Sequence, residues 1–396
     1  MPWKECNRMD ERLRFVARLL DGERMTTACR EFGISRKTGY KLFNRYKDEG
    51  LSGLEDQPRR PYRHANKLPF QVETVILQLK RDHPGWGAPK LREKLLKQYP
   101  GIRPPANSTI HAVLDRHGLV KRRRRRRYRA QGTPLSDARQ PNALWCADYK
   151  GQFRLGNRQY CYPLTLSDYR SRYLLACEGL ASTQEAGAFP VFERAFREYG
   201  LPAAIRTDNG VPFASPHALF GLSRLSVWWL RLGIAIERIQ PGQPQQNGRH
   251  ERLHLTLKQD TTQPPGYNLL QQQERFEDFR AGYNQERPHQ ALGGHYPAEV
   301  YTPSARVYAP PDVPDYPFHD RTVQVTRCGR ICIKRRKINF SVVFAGQTVG
   351  IREVADRIWL VSFMDYDLGF FDENEDRVEP VGFNPFASKV LPMSSE

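Results

Sequence analysis

Residues 144–155 read LWCADYKGQFRL, 159–169 read QYCYPLTLSDY and 171–180 read SRYLLACEGL. Each run is rich in β-branched, aromatic and other apolar residues, and the breaks GNR and RS are short, so three successive antiparallel strands are expected. A helical pattern follows from about Gln184 to Tyr199. AIRTD (204–208) is another apolar run ending in polar residues, GIAIERI (233–239) reads as a fifth strand, and a last helix starts near Glu251. Three strands, a helix, a strand, a helix, a strand and a helix describe a mixed α/β domain, placed at 141–305.

Toward the N-terminus the period changes from two to 3.6. Residues 10–48 read as three short helices. Leu13, Phe15, Val16, Leu19 and Leu20 form the first apolar face, Thr26 or Thr27 caps the second helix, and Gly33 breaks it. Ser35 caps a third helix that carries Arg36, Lys37, Tyr40, Lys41, Arg45 and Lys47. A small residue (Ala28), a Gly turn and a basic third helix form the helix-turn-helix pattern, with Arg36, Lys37 and Lys41 as candidate DNA contacts. This unit spans 1–56, and 57–67, rich in Pro and charge, is a linker. A second helix-turn-helix unit, with room for a wing, is expected over 68–120, from the stripes Val72, Val75, Ile76, Leu79 and Leu91, Leu95, Leu96. Its third helix, capped by Asn107 or Ser108, contains Ile110, Val113 and Leu114. The stretch 121–140 is a linker whose Arg122, Arg123, Arg124, Arg125, Arg126 and Arg127 repel one another and call for phosphate. A nuclear-localisation signal has the same composition, but the position between two folded units favours tracking along DNA.

From 306 to 396 the helical pattern gives way to RTVQVTR, ICIKRRKINF, QTVGIREV, RIWLVSF and LGFFDEN, from which a small β-barrel or sandwich of roughly five strands is expected, with the barrel preferred. The whole chain of 396 residues carries 62 Lys and Arg against 43 Asp and Glu, a net charge of +19. Such an excess points to a polyanion, and duplex DNA leads because neutralising phosphates releases condensed counterions. No apolar stretch approaches 18 residues and no apolar leader is seen at the start, so a membrane is not expected and a cytoplasmic location is. Seven cysteines at 6, 29, 146, 161, 177, 328 and 332 lack zinc-finger spacing and read as reduced thiols, mostly packed in cores.

Three carboxylates stand where elements end. Asp148 interrupts the apolar run LWCADY, Asp208 ends AIRTD ahead of the Asn209-Gly210 turn, and Glu251 follows the Gly/Pro/Gln stretch PGQPQQNGRH. Singly, each has an ordinary explanation as a turn residue or a solvated helix charge. Brought together they cannot all stay ionised without cations, and hard oxygen ligands suit Mg²⁺ or Mn²⁺, two ions sharing a bridging Asp.

LWCADYKGQF, IRTDNGVPF and QPQQNGRHERLHLTLK, followed by YNQERPHQAL (283–292) and Pro297-Ala298, closely resemble the catalytic core of bacterial insertion-sequence transposases of the retroviral-integrase superfamily. The spacing agrees, with 59 residues between Asp148 and Asp208 and 42 between Asp208 and Glu251. The likeness covers about 141–303, and more loosely the helix-turn-helix units and HPGWGAPKLREKL. It implies an RNase H-like core fold and a DDE transposase with Asp148, Asp208 and Glu251 as catalytic metal ligands. It also implies that Asn209 and Gly210 shape the second acid's turn, with Asn209 a candidate DNA contact, and that Lys258, two helical turns past Glu251, contacts DNA. A basic residue is frequent one turn after the glutamate in retroviral integrases; here that place holds Leu255. The activity implied is binding of terminal inverted repeats, hydrolysis to expose 3′-hydroxyls and their transfer into target DNA, by a dimer or higher assembly. An inactive or domesticated DNA-binding regulator and an RNase H-like nuclease that only hydrolyses are the alternatives.

Overall fold

The computed structural model describes residues 7–56, 68–120, 138–215, 218–239, 244–333, 335–372, 377–382 and Phe386. The chain divides into two units, 1–69 and 70–396. Arg122 to Arg127, and with them any wing formed there, lie outside the described residues.

In the first unit, α1 (Arg8–Leu20), α2 (Met25–Glu31) and α3 (Arg36–Glu49) follow the expected helix-turn-helix order. Ser35 caps α3 by accepting the Thr38 N–H. Neither threonine caps α2: its N-cap is Arg24, without a side-chain bond, and Thr26 and Thr27 already lie in its first turn. Phe15, Val16, Ala28, Cys29 and Leu54 form the core. Gly39 lets α3 press on α2, since a Cβ there would lie 2.4 Å from Cys29 Sγ. Arg36, Lys37 and Lys41 are exposed along α3.

The second unit opens with α4 (Phe70–Asp82), α5 (Ala88–Gln98) and α6 (Asn107–Arg116) around Ile76, Leu79, Leu91, Leu95, Ile110, Val113 and Leu114. Here too the cap differs from expectation. Ala106 is the N-cap of α6, while Asn107 and Ser108 fall inside the helix.

The α/β domain is built as its sequence period suggests. β1 (Trp145–Tyr149), the short β2 (Phe153–Arg154), β3 (Tyr160–Asp168) and β4 (Leu174–Leu180) are antiparallel to their neighbours. α7 (Glu185–Tyr199) then carries the chain to β5 (Ala204–Thr207), which pairs parallel to β1. α8 (Arg224–Arg231) leads to β6 (Ala235–Arg238), parallel to β5. The result is a mixed sheet of six strands, one more than expected, because LWCADYKGQFRL, expected as one strand, is broken between Tyr149 and Phe153 into β1 and β2. Phe192, Phe196 and Trp229 from α7 and α8 bury one face together with Trp145, Ile205 and Ile236. α9 (Gly248–Thr261) and α10 (Leu269–Gln285) bring Leu253, Leu257 and Phe276 to a separate cluster with Cys161, Leu174 and Cys177. The short α11 (Pro297–Val300) closes the domain.

The C-terminal part is not the closed barrel expected. β10 (Thr348–Ala355), β11 (Ile358–Phe363) and β12 (Tyr366–Asp372) form an antiparallel meander, flanked by β7 (Arg321–Gln324) and β13 (Glu379–Pro380). Among the described residues its edge strands β7 and β13 do not pair with each other, so the sheet is open. ICIKRRKINF, expected as one strand, is a hairpin of β8 (Arg330–Ile333) and β9 (Arg336–Asn339). Arg335 between them adopts φ +68°, which reverses the chain where a continuous strand needs an extended backbone. Ile331, Val349, Trp359 and Phe363 join one apolar cluster with the α/β domain, and Arg231 of α8 donates to Gln347 Oε1 at 3.0 Å. Among the described residues the cysteines are unpaired, four buried and two exposed, and no helix is long and apolar enough to cross a membrane.

Candidate active site

Parallel pairing sets Cys146 beside Arg206, and two residues further along each strand lie Asp148 and Asp208. The register therefore delivers both carboxylates to one edge of the sheet, side by side. Asp208 leaves β5 into a tight turn in which Gly210 N–H donates to its Oδ1 at 3.2 Å. A Cβ on Gly210 would stand 3.0 Å from Asp208 Oδ2, so the glycine keeps room for the carboxylate. Asn209 donates its amide to Ile239 O at 2.7 Å, pinning the turn to the end of β6. That bond occupies the Asn209 amide within the fold.

Glu251 stands exposed in the first turn of α9, whose N-cap is Asn247. Asn247 is buried, and its Nδ2 lies 3.5 Å from Asp148 Oδ2. The positive end of the α9 dipole thus faces the two aspartates. Burial pushes the Asp148 carboxyl up to about 7, and the negative charges of Asp208 and Glu251 push the same way. Burial also raises Asp208, against the Gly210 N–H. The three acids are near enough to feel one another, and their mutual repulsion marks a place short of positive charge. Among the described residues no three His, Cys, Asp or Glu side chains already stand in ligating positions.

Two further cations belong here. Lys150, two residues beyond Asp148, loses basicity chiefly by burial and next by the charge of Lys258, so the two ammonium groups lie near one another. Leu255, one turn after Glu251, is 40% exposed. The Glu251 face of α9 therefore presents Glu251, Leu255 and Lys258 outward in sequence.

What holds α9 against the sheet is a buried polar knot. Thr165 on β3 sits opposite Asp148 on β1. Its hydroxyl donates to Asp148 O at 3.1 Å and lies 2.6 Å from His250 Nε2 and 2.8 Å from His254 Nε2. With its one proton given to Asp148 O, the oxygen can only accept from both rings, so each histidine carries its proton on Nε2. Ser167 Oγ then donates to His250 Nδ1 at 3.2 Å. Burial pushes His250 down to about 3 and His254 down to about 2, so both rings are neutral. A second tie fixes the helix start. Arg249 lies over the Tyr169 ring at 3.8 Å and donates to Tyr169 O at 3.2 Å. Arg206 also approaches that ring, at 4.8 Å, and holds Glu237 at 2.8 Å, both ion-pair members being almost wholly buried.

Sequence reasoning missed Thr165, Asn247, Lys150, His250 and His254. His-Glu-Arg-Leu-His (250–254) has the spacing of a zinc-binding helix, a signal visible in the sequence. In the fold both rings turn inward to a threonine hydroxyl while Glu251 turns outward, so the three do not converge.

Comparison with known proteins agrees with this architecture. Integrase core domain families match residues 138–244 and 232–297. A helix-turn-helix domain family matches 11–62 and a homeodomain-like domain family matches 38–114. An uncharacterized 39.2 kDa protein of insertion element IS476 from Xanthomonas euvesicatoria is 26% identical over 255 residues, 63% of this chain and 70% of that protein. A 31.7 kDa protein of insertion element IS407 from Burkholderia multivorans is 26% identical over 198 residues, 48% of this chain and 67% of that protein. The integrase catalytic core of HTLV-2, solved in complex with magnesium, is 16% identical, covering 41% of this chain and 98% of that one, with a TM-score of 0.33. The chain is thus similar to integrase core domains over 138–297 and to helix-turn-helix domains ahead of them, and these two relatives are insertion-element proteins.

Proposed function

We propose that this chain, an insertion-element protein with a retroviral-integrase-type core, is the DNA transposase of its element. The observation that carries the reading is Asp148, lifted to about 7 by burial and by the charges of Asp208 and Glu251 where two parallel strands end beside a helix N-terminus. Carboxylates crowded in this way fit a hard divalent cation, Mg²⁺ or Mn²⁺, since all three side chains offer oxygen and their excess charge needs cancelling. Asp148, Asp208 and Glu251 would hold the metal, probed most simply as a pair of ions. When bound, it supplies Lewis-acid stabilisation of charge at a phosphodiester and a more acidic attacking hydroxyl.

The remaining work falls to the chain itself. Lys150 and Lys258 draw the phosphate backbone over the edge that bears the acids, and exposed Arg36, Lys37 and Lys41 on α3 engage a duplex. Arg122 to Arg127 add phosphate contacts in the same manner. The Thr165–His250–His254 knot keeps α9 in register, so that Glu251 meets the same phosphate each time. Hydrolysis exposes a 3′-hydroxyl at the element's end. That hydroxyl then attacks target DNA, one phosphodiester replacing another, so no high-energy cofactor is consumed. Joining two ends requires two active chains, hence a dimer or larger assembly on DNA.

The test is an incubation of the chain with end-containing duplex, target plasmid and Mg²⁺, followed by sequencing of junctions. Wild-type protein is expected to yield both cut ends and strand-transfer products, whereas Glu251→Gln binds the duplex and yields neither. Binding without either product in the wild type would identify a regulator, and cutting without joining a nuclease; full activity in Glu251→Gln would remove Glu251 from the site.

A further inference from the structure

The segment from Glu286, within the YNQERPHQAL motif, to Glu299 forms a socket for α5. Glu286 takes Lys94 Nζ at 3.3 Å. Glu299, oriented by the Tyr296 N–H at 2.8 Å, takes Lys97 Nζ at 2.6 Å. The same ammonium lies 3.4 Å from the centre of the Tyr296 ring. Glu93 packs on Gly294, where a Cβ would come within 2.9 Å of its Oε2. At the α4–α5 turn, Trp86 is buried and stacks on His83 at 3.8 Å. The two rings border a cavity of about 330 Å³ shared with Asp260, Thr261, Tyr283 and Arg287. Lys94 and Lys97 are only 18% and 28% exposed, unlike freely solvated lysines.

This docking has a geometric consequence for α6. Ile110, Val113 and Leu114 are spent on α4 and α5, while Asn107, Ser108, His111 and Ala112 remain exposed. These are small or neutral hydrogen-bonding side chains at the helix N-terminal half, which is the half that meets base edges in a major groove. Seventeen residues, 121–137, separate the described part of this helical unit from the α/β domain, so chain connectivity alone does not impose the arrangement. Side chains do.

We propose that the α5 socket is a fixed joint that holds α6, as a reader of duplex DNA, at a set distance from Asp148, Asp208 and Glu251, and so determines which phosphate is cut. The cutting half of the inference rests on the function proposed above; the joint itself does not.

The experiment uses the full chain and duplexes selected by it from a random-sequence pool. Hydroxyl-radical footprints are taken in EDTA, and nick positions are then mapped with Mg²⁺. Wild type is expected to protect two blocks at one constant offset and to nick at one phosphate. Asn107→Ala with His111→Ala should weaken binding at least tenfold and erase the first block. Lys94→Glu with Lys97→Glu should keep the first block but lose or scatter the second, and spread the nicks over several positions. Adding Glu286→Lys and Glu299→Lys to that variant should restore the single offset, which a nonspecific loss of folding would not permit. An unchanged offset in the charge-reversed variant overturns the proposal, as does an intact first block in the α6 variant or a failed charge swap. A wild type that footprints as expected but never nicks supports the joint and overturns the transposase reading instead.

Discussion

Thr165 is a single hydroxyl with three partners, and all three lie on the elements that carry Asp148 and Glu251. Thr165→Val keeps the shape but strands two imidazole N–H groups inside the protein, while the Asp148 carbonyl keeps its place in the β1–β3 ladder. Each unsatisfied buried group costs about 1–3 kcal/mol, so a loss of about 3 kcal/mol is expected in urea unfolding. Strand-transfer activity should fall further than stability does, because α9 loses its register, and Thr165→Ser should recover most of both. A Thr165→Val variant as stable and active as wild type would show that the knot does not position Glu251. The three acids were legible in the sequence because each sits at an element's end inside a recognisable motif. Thr165 was not, since its place opposite Asp148 depends on the register of β3 against β1, which no local pattern states. The histidines were visible but ambiguous, for i, i+4 spacing sets both on one face without saying what that face meets.

Among the elements, β5 and β6 share the Arg206–Glu237 pair, 2% and 1% exposed. Removing one partner from such a pair leaves an uncompensated buried charge. Glu237→Ala should therefore cost about 3–5 kcal/mol in denaturant melts, whereas Arg206→Met with Glu237→Leu should cost much less. Equal losses in the single and double variants would mean that packing, rather than charge, governs the site. Strands of the α/β domain followed from their alternation, and Ser35 was found by its position before a helical stripe. The caps of α2 and α6 were misplaced because Thr26, Thr27, Asn107 and Ser108 are favourable caps that happen to fall inside the first turn. The β8–β9 hairpin was hidden for a different reason. Lys334 to Lys337 carry no Gly, Asn or Pro to announce the turn that Arg335 makes at positive φ.

At the scale of the molecule, the charge of +19 makes DNA affinity salt-dependent. Replacing Arg122 to Arg127 with Gln removes six cations, so the slope of log K against log salt should become shallower by about 5. Unchanged slope would take the run out of the DNA contacts. The order of domains was readable from composition and period, but the seat of α4–α6 on the α/β domain was not. Lys94, Lys97, Glu286 and Glu299 look like ordinary surface charges until the fold brings them together. The same limit applied to the barrel: five strand-like runs indicate a β-rich region, while the strand number and closure depend on where the chain turns and whether the edge strands meet. The account as a whole depends on one chelate, and the most direct measurement is anomalous scattering from a crystal of the chain on duplex DNA containing Mn²⁺. A peak about 2.1–2.3 Å from carboxylate oxygens of Asp148, Asp208 and Glu251 is predicted. An ordered DNA complex with those side chains well defined and no peak between them would contradict it.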